Sequence, residues 1–347
     1  MTAERGPRLH DLRASGSSCF WGFFDRSLPP VLTIRSGDLV QVETLTHQAG
    51  DAPDLLMDDG VRAVYDAIPP SERGPGVHVM TGPIAVEGAR AGDTLEVRIL
   101  SMAPRLPYGT NIGAWWGYLY EDLKKERITI YRLHAEANYA EAAFAFDYTQ
   151  SPRYDAPGTI VPPHSTRRVP ALVGVRVPLR PHFGVMGVAP AESGKVNSIP
   201  PGDFGGNVDD RRIGPGATMY YPVQNDGALF FVGDPHMAEG DGELSGTAIE
   251  SSANGLLQLT VRRDVPTDSP LLETPTHWYA HGFGTDLDEA MRSAARRMLE
   301  WLVRARGLSR DDAYSLLSVA ADFGVTQVVD QRMGIHVGIP KRVFAAR

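Results

Sequence analysis

Gly92-Asp93-Thr94-Leu95-Glu96-Val97-Arg98-Ile99-Leu100 decides the fold class. Its first two residues are a turn signal, and apolar residues then recur at every second position. Leu95, Val97 and Ile99 fall on one face, Glu96 and Arg98 on the other, which is the pattern of a half-buried strand. Working outward, Gly37-Asp38 precedes Leu39-Val40-Gln41-Val42-Glu43 in the same way. Val173, Val175, Val177 and Leu179 alternate, as do Leu257, Leu259 and Val261. Leu229-Phe230-Phe231-Val232 is a continuous apolar run, which suits a strand buried on both faces. The chain holds 36 glycines and 27 prolines in 347 residues, so many short strands joined by turns are expected. No long amphipathic helix is expected before residue 265.

Beyond that point the period changes. Thr285 is placed to cap a helix, with Asp288 three residues later. Leu287, Ala290, Met291, Ala294, Met298, Leu299, Leu302 and Val303 follow at helical spacing, and Gly307 is placed to stop them. Ser309 opens a second helix carrying Ala313, Leu316, Leu317 and Ala320, closed by Gly324. These helices are predicted over 286–306 and 309–321, followed by strands at Thr326–Val329 and Ile335–Ile339. Strands first and helices last make an α+β appendix on a β body. Ser151 to Pro170, rich in Pro, Ser and Thr, predicts a long loop or domain connection.

Composition narrows the function. Hydrophobic residues make up 42% of the chain, enough for a packed core. The net charge of −8 speaks against a nucleic-acid groove and against docking on anionic lipid, both of which need clustered Lys and Arg. The single cysteine, Cys19, excludes an internal disulfide and a thiolate-rich zinc site, and reads as a small buried residue. No apolar run approaches membrane length and Met1–Ser15 has no apolar signal-peptide core, so a cytoplasmic protein is expected.

The chemistry is concentrated between Asp203 and Glu250. Nine glycines and nine acids fall there, against two basic residues, Arg211 and Arg212. Such loops can wrap a polar substrate or a cation, because glycine lets backbone approach closely and packed carboxylates need compensation. Asn207 and Asp209, two apart, would point to one face of an extended segment as two oxygen ligands. The competing reading is an Asx-rich turn. In Gly233-Asp234-Pro235-His236-Met237-Ala238-Glu239-Gly240-Asp241-Gly242-Glu243, His236 can serve as a metal ligand and Glu243 as a proton shuttle. The competing reading is a solvated acidic turn. His78, ahead of Thr81-Gly82-Pro83, and His182 are each open between a ligand and a satisfied core histidine. His10, His47, His134, His164, His277, His281 and His336 have no supporting neighbourhood. No G-x-S-x-G elbow, P-loop, H-E-x-x-H helix or Ser-Ser-Lys amidase signature is present.

The chain resembles the acetamidase/formamidase family in several stretches. These are Thr81–Ala89, Ala91–Val97, Pro201-Gly202-Asp203-Phe204-Gly205-Gly206-Asn207-Val208-Asp209 and Leu229 through Glu243, with Trp21-Gly22 and Thr326–Asp330 at either end. The resemblance implies hydrolysis of formamide, acetamide or related short amides to ammonia and a carboxylate. It also implies a jelly-roll-like β-sandwich (1–165), a small β-barrel part carrying the site loops (166–265) and a C-terminal α/β part (266–347). A homo-oligomer, dimer or higher, and a metal in the pocket are implied as well. Two residues depart from the family pattern. Glu239 stands where glutamine is usual and Asp210 where an apolar residue is common, which would favour a cationic or nitrogen-rich substrate.

The leading expectation is therefore a metal-dependent amidohydrolase. His78, Asn207, Asp209 and His236 hold a divalent metal, zinc before calcium. Glu243 is the catalytic carboxylate with Asp203 as a second candidate. Thr81, Phe204 and Gly205 contact a small amide substrate. The alternatives are a carboxylate amidase without metal and a β-sandwich binding module with a structural calcium.

Overall fold

The structure, a computed structural model, describes residues 6–149, 154 and 158–344. Strands dominate, as expected. Among the described residues the largest sheet has nine strands, in the order Leu9–Leu12, Leu39–Thr44, Ala253–Arg262, Thr94–Pro104, Thr218–Pro222, Leu271–Glu273, His277–Gly284, Met333–Pro340 and Asp322–Gln327. The first pairing is parallel and the rest are antiparallel. This sheet draws strands from all three of the expected segments.

The opening stretch forms the central strand Thr94–Pro104. Leu95, Val97 and Ile99 are fully buried. On the other face Arg98 is exposed, but Glu96 is buried, because Arg98 and Arg262 both ion-pair with it. A second sheet runs Gly205–Asn207, His182–Val188, Phe230–His236, Val79–Val86, Cys19–Trp21, with Leu32–Ile34 added in parallel to Val79–Val86. The two sheets share one core. Val40, Val97, Met219 and Leu257 of the first meet Ile84, Phe183, Val188 and Val232 of the second. Each fully buried aliphatic or aromatic side chain contributes ~1.5–3 kcal/mol, so this seam is the rigid support behind the site. A four-stranded sheet, Tyr108–Gly113, Arg127–His134, Tyr139–Asp147 and Val177–Pro178, lies beside it in sequence order.

The C-terminal helices are Leu287–Arg306 and Arg310–Ala320. The first is capped by Asp286, not Thr285: the Asp286 carboxylate accepts from the Glu289 N–H at 2.7 Å. Gly307 ends it in the left-handed conformation, with φ 67°. Ser309 caps the second helix, which ends at Ala321. Gly324 is not its terminator but lies in the strand Asp322–Gln327, where His336 leaves no room for a Cβ. The strands that follow the helices are Asp322–Gln327 and Met333–Pro340, and they close one edge of the nine-stranded sheet.

Two further readings change. The alternation over 173–179 yields only Val177–Pro178, because Val173 and Val175 have no surface to pack against and are 85% and 45% exposed. A helix, Asp59–Ala67, lies in the β region. Asp58 caps it and Val61, Val64 and Tyr65 are buried at helical spacing. Nine residues are too short a window for that period to stand out. Of the loop expected over Ser151–Pro170, residues 151–153 and 155–157 lie outside the described residues; the rest holds one helical turn, Pro163–Ser165. Among the described residues no helix is long and apolar enough to cross a membrane.

Candidate active site

The site is built at the end of the strand Phe230–His236, every residue of which is buried. Its last three residues deliver Asp234 and His236 to the interior. The neighbouring strand His182–Val188 pairs His182 with His236, and on its other side pairs Val185 with Asn207. Gly184 sits between these partners. A Cβ there would stand 2.5 Å from Asp209 Oδ1, 2.5 Å from Asp234 Oδ2 and 2.7 Å from His236 Cε1. Glycine at 184 is what lets the three side chains converge.

His236 is the hub. Its Nε2 lies 3.0 Å from Asp234 Oδ2 and 3.3 Å from Glu250 Oε1. Its Nδ1 lies 3.1 Å from Glu239 Oε2, which also meets His182 Nε2 at 2.8 Å. Burial opposes a charged ring, yet Glu250 and Asp234 outweigh it and hold the His236 pKa well above its ordinary value. Asp234 also faces His78 Nε2, at 3.7 Å. His78 Nδ1 meets Ser198 Oγ at 3.0 Å, and the His47 ring stands edge-on to His78 with centroids 5.5 Å apart.

The carboxyls are held in two different states. Burial works to raise Asp234, but His78 and His236 prevail and keep it well below the usual carboxylate range. Burial pushes Asp209 far up, reinforced by Glu243 and Asp330. Burial likewise pushes Glu243 far up, reinforced by Glu239 and Asp330. Glu250 and Asp330 are each raised to about 7, in both cases chiefly by burial. An ionised acid beside others held near neutrality is an arrangement that can accept and return protons at ordinary pH.

A cavity of about 580 Å³ opens onto this cluster. Asp209, Asp234, Glu243 and Gln331, which line it, all have left-handed backbone, with φ of 49°, 52°, 44° and 63°. Such residues cost of order 1–3 kcal/mol each and persist where surrounding structure imposes them, often at functional sites. Several buried oxygens here have no hydrogen-bond partner among the described residues: Asn207 Oδ1, Asp209 Oδ1, Glu239 Oε1, Glu250 Oε2 and Asp330 Oδ2. A native interior leaves few such atoms, so the cluster is set to receive something polar or cationic.

Of the residues expected at the site, His78, Asn207, Asp209 and Glu243 line this one cavity, and His236 lies behind Asp234 in its wall. The others do not reach it. Asp203 turns outward, 60% exposed, and ion-pairs with Arg297. Thr81 is fully buried, with its hydroxyl donated to the Glu43 carbonyl at 2.7 Å. Phe204 packs edge-on against Phe24 at 5.1 Å. Gly205 lies under the Met186 carbonyl, where a Cβ would be 2.4 Å away. Asp210 is not beside the cavity either. It is fully buried, paired with His281 Nε2 at 2.9 Å and Arg212 at 2.9 Å, so its charge is neutralised internally. Cys19 is buried and outside the lining, its thiol pushed up by burial.

The sequence reading missed Asp330, Glu250 and His47. Glu250 closes the acid-rich segment and Asp330 ends the stretch Thr326–Asp330, so both were visible as acids but not as members of this cluster. His47 carries no local signal at all.

The sequence model described as the Acetamidase/Formamidase family matches residues 19–196 and 191–346. An acetamidase of Mycolicibacterium smegmatis is 29% identical over 254 residues, which are 63% of this chain and 59% of that protein. A formamidase of Methylophilus methylotrophus is 27% identical over 361 aligned residues, covering 87% of this chain and 84% of that protein. The crystal structure of an acetamidase from Bacillus halodurans superposes with a TM-score of 0.76 at 28% identity, covering 96% of this chain and 98% of the other. With a family match spanning almost the entire sequence, the chain belongs to the acetamidase/formamidase family, hydrolases that act on the C–N bonds of linear amides.

Proposed function

We propose that this protein hydrolyses amides to ammonia and a carboxylate in the cavity beside His236, with Glu243 as the proton shuttle. The observation that carries the reading is the convergence of Asp209, Asp234, Glu243, Glu250 and Asp330 on one buried histidine beside a cavity. An amide nitrogen leaves only as a protonated amine, so the site needs a group that takes a proton from water and returns it to nitrogen. Glu243 lines the cavity, and burial raises its carboxyl well above the usual carboxylate range, so it holds a proton firmly. The neighbouring carboxyls of Glu239 and Asp330 reinforce that rise.

The residues fit a divalent cation. Among the described residues, five buried oxygens of the cluster have no hydrogen-bond partner. His236 turns Nδ1 to Glu239, the carboxylate contact that metal-bound histidines commonly make through their second nitrogen. Its Nε2, between Asp234 and Glu250, is the atom that would join the metal in exchange for a proton. Asn207, Asp209, Asp234 and His78 complete the set that would hold it. An imidazole donor favours zinc over calcium. Such a cation would polarise the amide carbonyl and lower the pKa of the attacking water. Glu239 then orients His236, and His182 holds Glu239.

Ammonia release from formamide and acetamide, measured with metal analysis on the purified protein, tests this reading. Turnover lost on chelation and restored by zinc supports it. Turnover by metal-free protein replaces the metal with a carboxylate mechanism. Calcium without turnover of any amide leaves only a binding module.

A further inference from the structure

We infer that the preferred substrate is an amide with an uncharged aromatic, or similarly broad apolar, acyl group; this rests on the amide-hydrolase reading above. The cavity of about 580 Å³ falls in the range of pockets that enclose drug-sized ligands, roughly 300–1,000 Å³. Formamide and acetamide have only a handful of non-hydrogen atoms and would leave most of that space to water. One wall is aromatic: Trp115, Trp116 and Tyr154 line the same cavity as Glu243 and Asp234. Trp116 meets Trp115 edge-on at 5.5 Å and Tyr154 at 5.9 Å.

Each ring is held by a specific contact. Trp116 lies against Gly246, whose φ is 87°, and a Cβ there would stand 2.2 Å from the indole Cδ1. Trp115 Nε1 donates to the Tyr154 carbonyl at 3.1 Å. The Tyr154 hydroxyl donates to Asp51 at 2.7 Å. The other Asp51 oxygen accepts from the Thr110 hydroxyl at 2.7 Å, and the Thr110 N–H bonds the Glu250 carbonyl at 2.8 Å. A wholly buried carboxyl is costly unless hydrogen-bonded, and both oxygens of Asp51 tie the wall to the backbone that carries Glu250. A wall fixed in advance lowers the ordering cost of binding a ring.

Charge sets the second limit. The described lining residues include five acids and no lysine or arginine. A substrate carrying its own carboxylate would find no lysine or arginine among the described lining residues to pair with it.

The test compares ammonia release from acetamide, benzamide and 4-carbamoylbenzoate by the purified protein. Benzamide should exceed acetamide in kcat/KM by tenfold or more, and 4-carbamoylbenzoate should fall at least tenfold below benzamide. In Trp116→Ala the benzamide-to-acetamide ratio should drop about tenfold, the scale of one aromatic contact, while Trp116→Phe keeps most of it. Acetamide turned over faster than benzamide overturns the inference and leaves the amide-hydrolase reading standing. No ammonia from any of the three overturns both. A ratio unchanged in a folded Trp116→Ala overturns the aromatic wall as the selector. The wild-type comparison stands even if the alanine variant does not fold.

Discussion

Replacing Gly184 with alanine adds one methyl group at the centre of the cluster. Its Cβ would stand 2.5 Å from Asp209 Oδ1 and from Asp234 Oδ2, where ordinary contact is 3.4–4 Å. Both oxygens must therefore recede by about 1 Å, taking the carboxyls out of register with His236. Overpacking a buried position costs ~1–3 kcal/mol, which the fold should survive. The catalytic cost is larger, because a misplacement of about 1 Å lowers rate ~10²-fold. The assay is kcat for ammonia release, with a thermal melt by circular dichroism on the same sample. Gly16→Ala is the control. It adds an equally tight methyl, 2.5 Å from Ala67 Cβ, outside the cavity lining. The expected outcome is a folded Gly184→Ala with kcat down ~10²-fold and a Gly16→Ala near wild type. A folded Gly184→Ala that turns over within about threefold of wild type would refute the convergence of these side chains as the reacting centre.

Three further outcomes are expected. Burial raises folded Asp51 to about 7 from 3.8, so the folded state holds its proton while the unfolded state ionises. Stability attributable to Asp51 is thus intact below pH ~4 and falls as pH rises to ~7, by on the order of 4 kcal/mol. Asp51→Asn should gain on wild type across that window in urea melts at pH 5 and pH 8, and an equal difference at both would contradict the burial argument. Asp203→Asn should keep kcat within about threefold, since a partly exposed ion pair is worth ~0–1 kcal/mol and Asp203 faces Arg297 rather than the cavity; a hundredfold loss would return Asp203 to the reaction. Light scattering at micromolar concentration should give at least twice the chain mass, and a stable monomer would overturn the homo-oligomer expected of the family.

What was legible in the sequence follows from the range of the forces involved. Leu95, Val97 and Ile99 announced their strand because alternation is local. Nothing local places Ala253–Arg262 beside Leu39–Thr44, or Leu9–Leu12 in parallel at the edge, because that pairing is decided by the shared core. The same division runs through the site. Asn207, Asp209, His236 and Glu243 stood out because they crowd into glycine-rich loops. Glu250 and Asp330 reach the cluster only through long-range pairing, as in the bridges of His236 to Glu250 and Gly242 to Gln327. For Asp203, nearness in sequence to Asn207 and Asp209 does not bring nearness to the cavity lining. Gly202 and Gly205 pair across a tight turn, and the Asp203 side chain leaves on its outer side toward Arg297.

Glu243→Gln tests the central claim most directly. Glutamine keeps the size of the side chain and removes the proton-carrying carboxyl. Ammonia release from acetamide and benzamide should fall ~10²–10⁴-fold in kcat, with metal content and melting temperature close to wild type. Near-wild-type turnover on both substrates, with metal content unchanged, would contradict Glu243 as the proton shuttle and move that role to Asp209, Glu250 or Asp330.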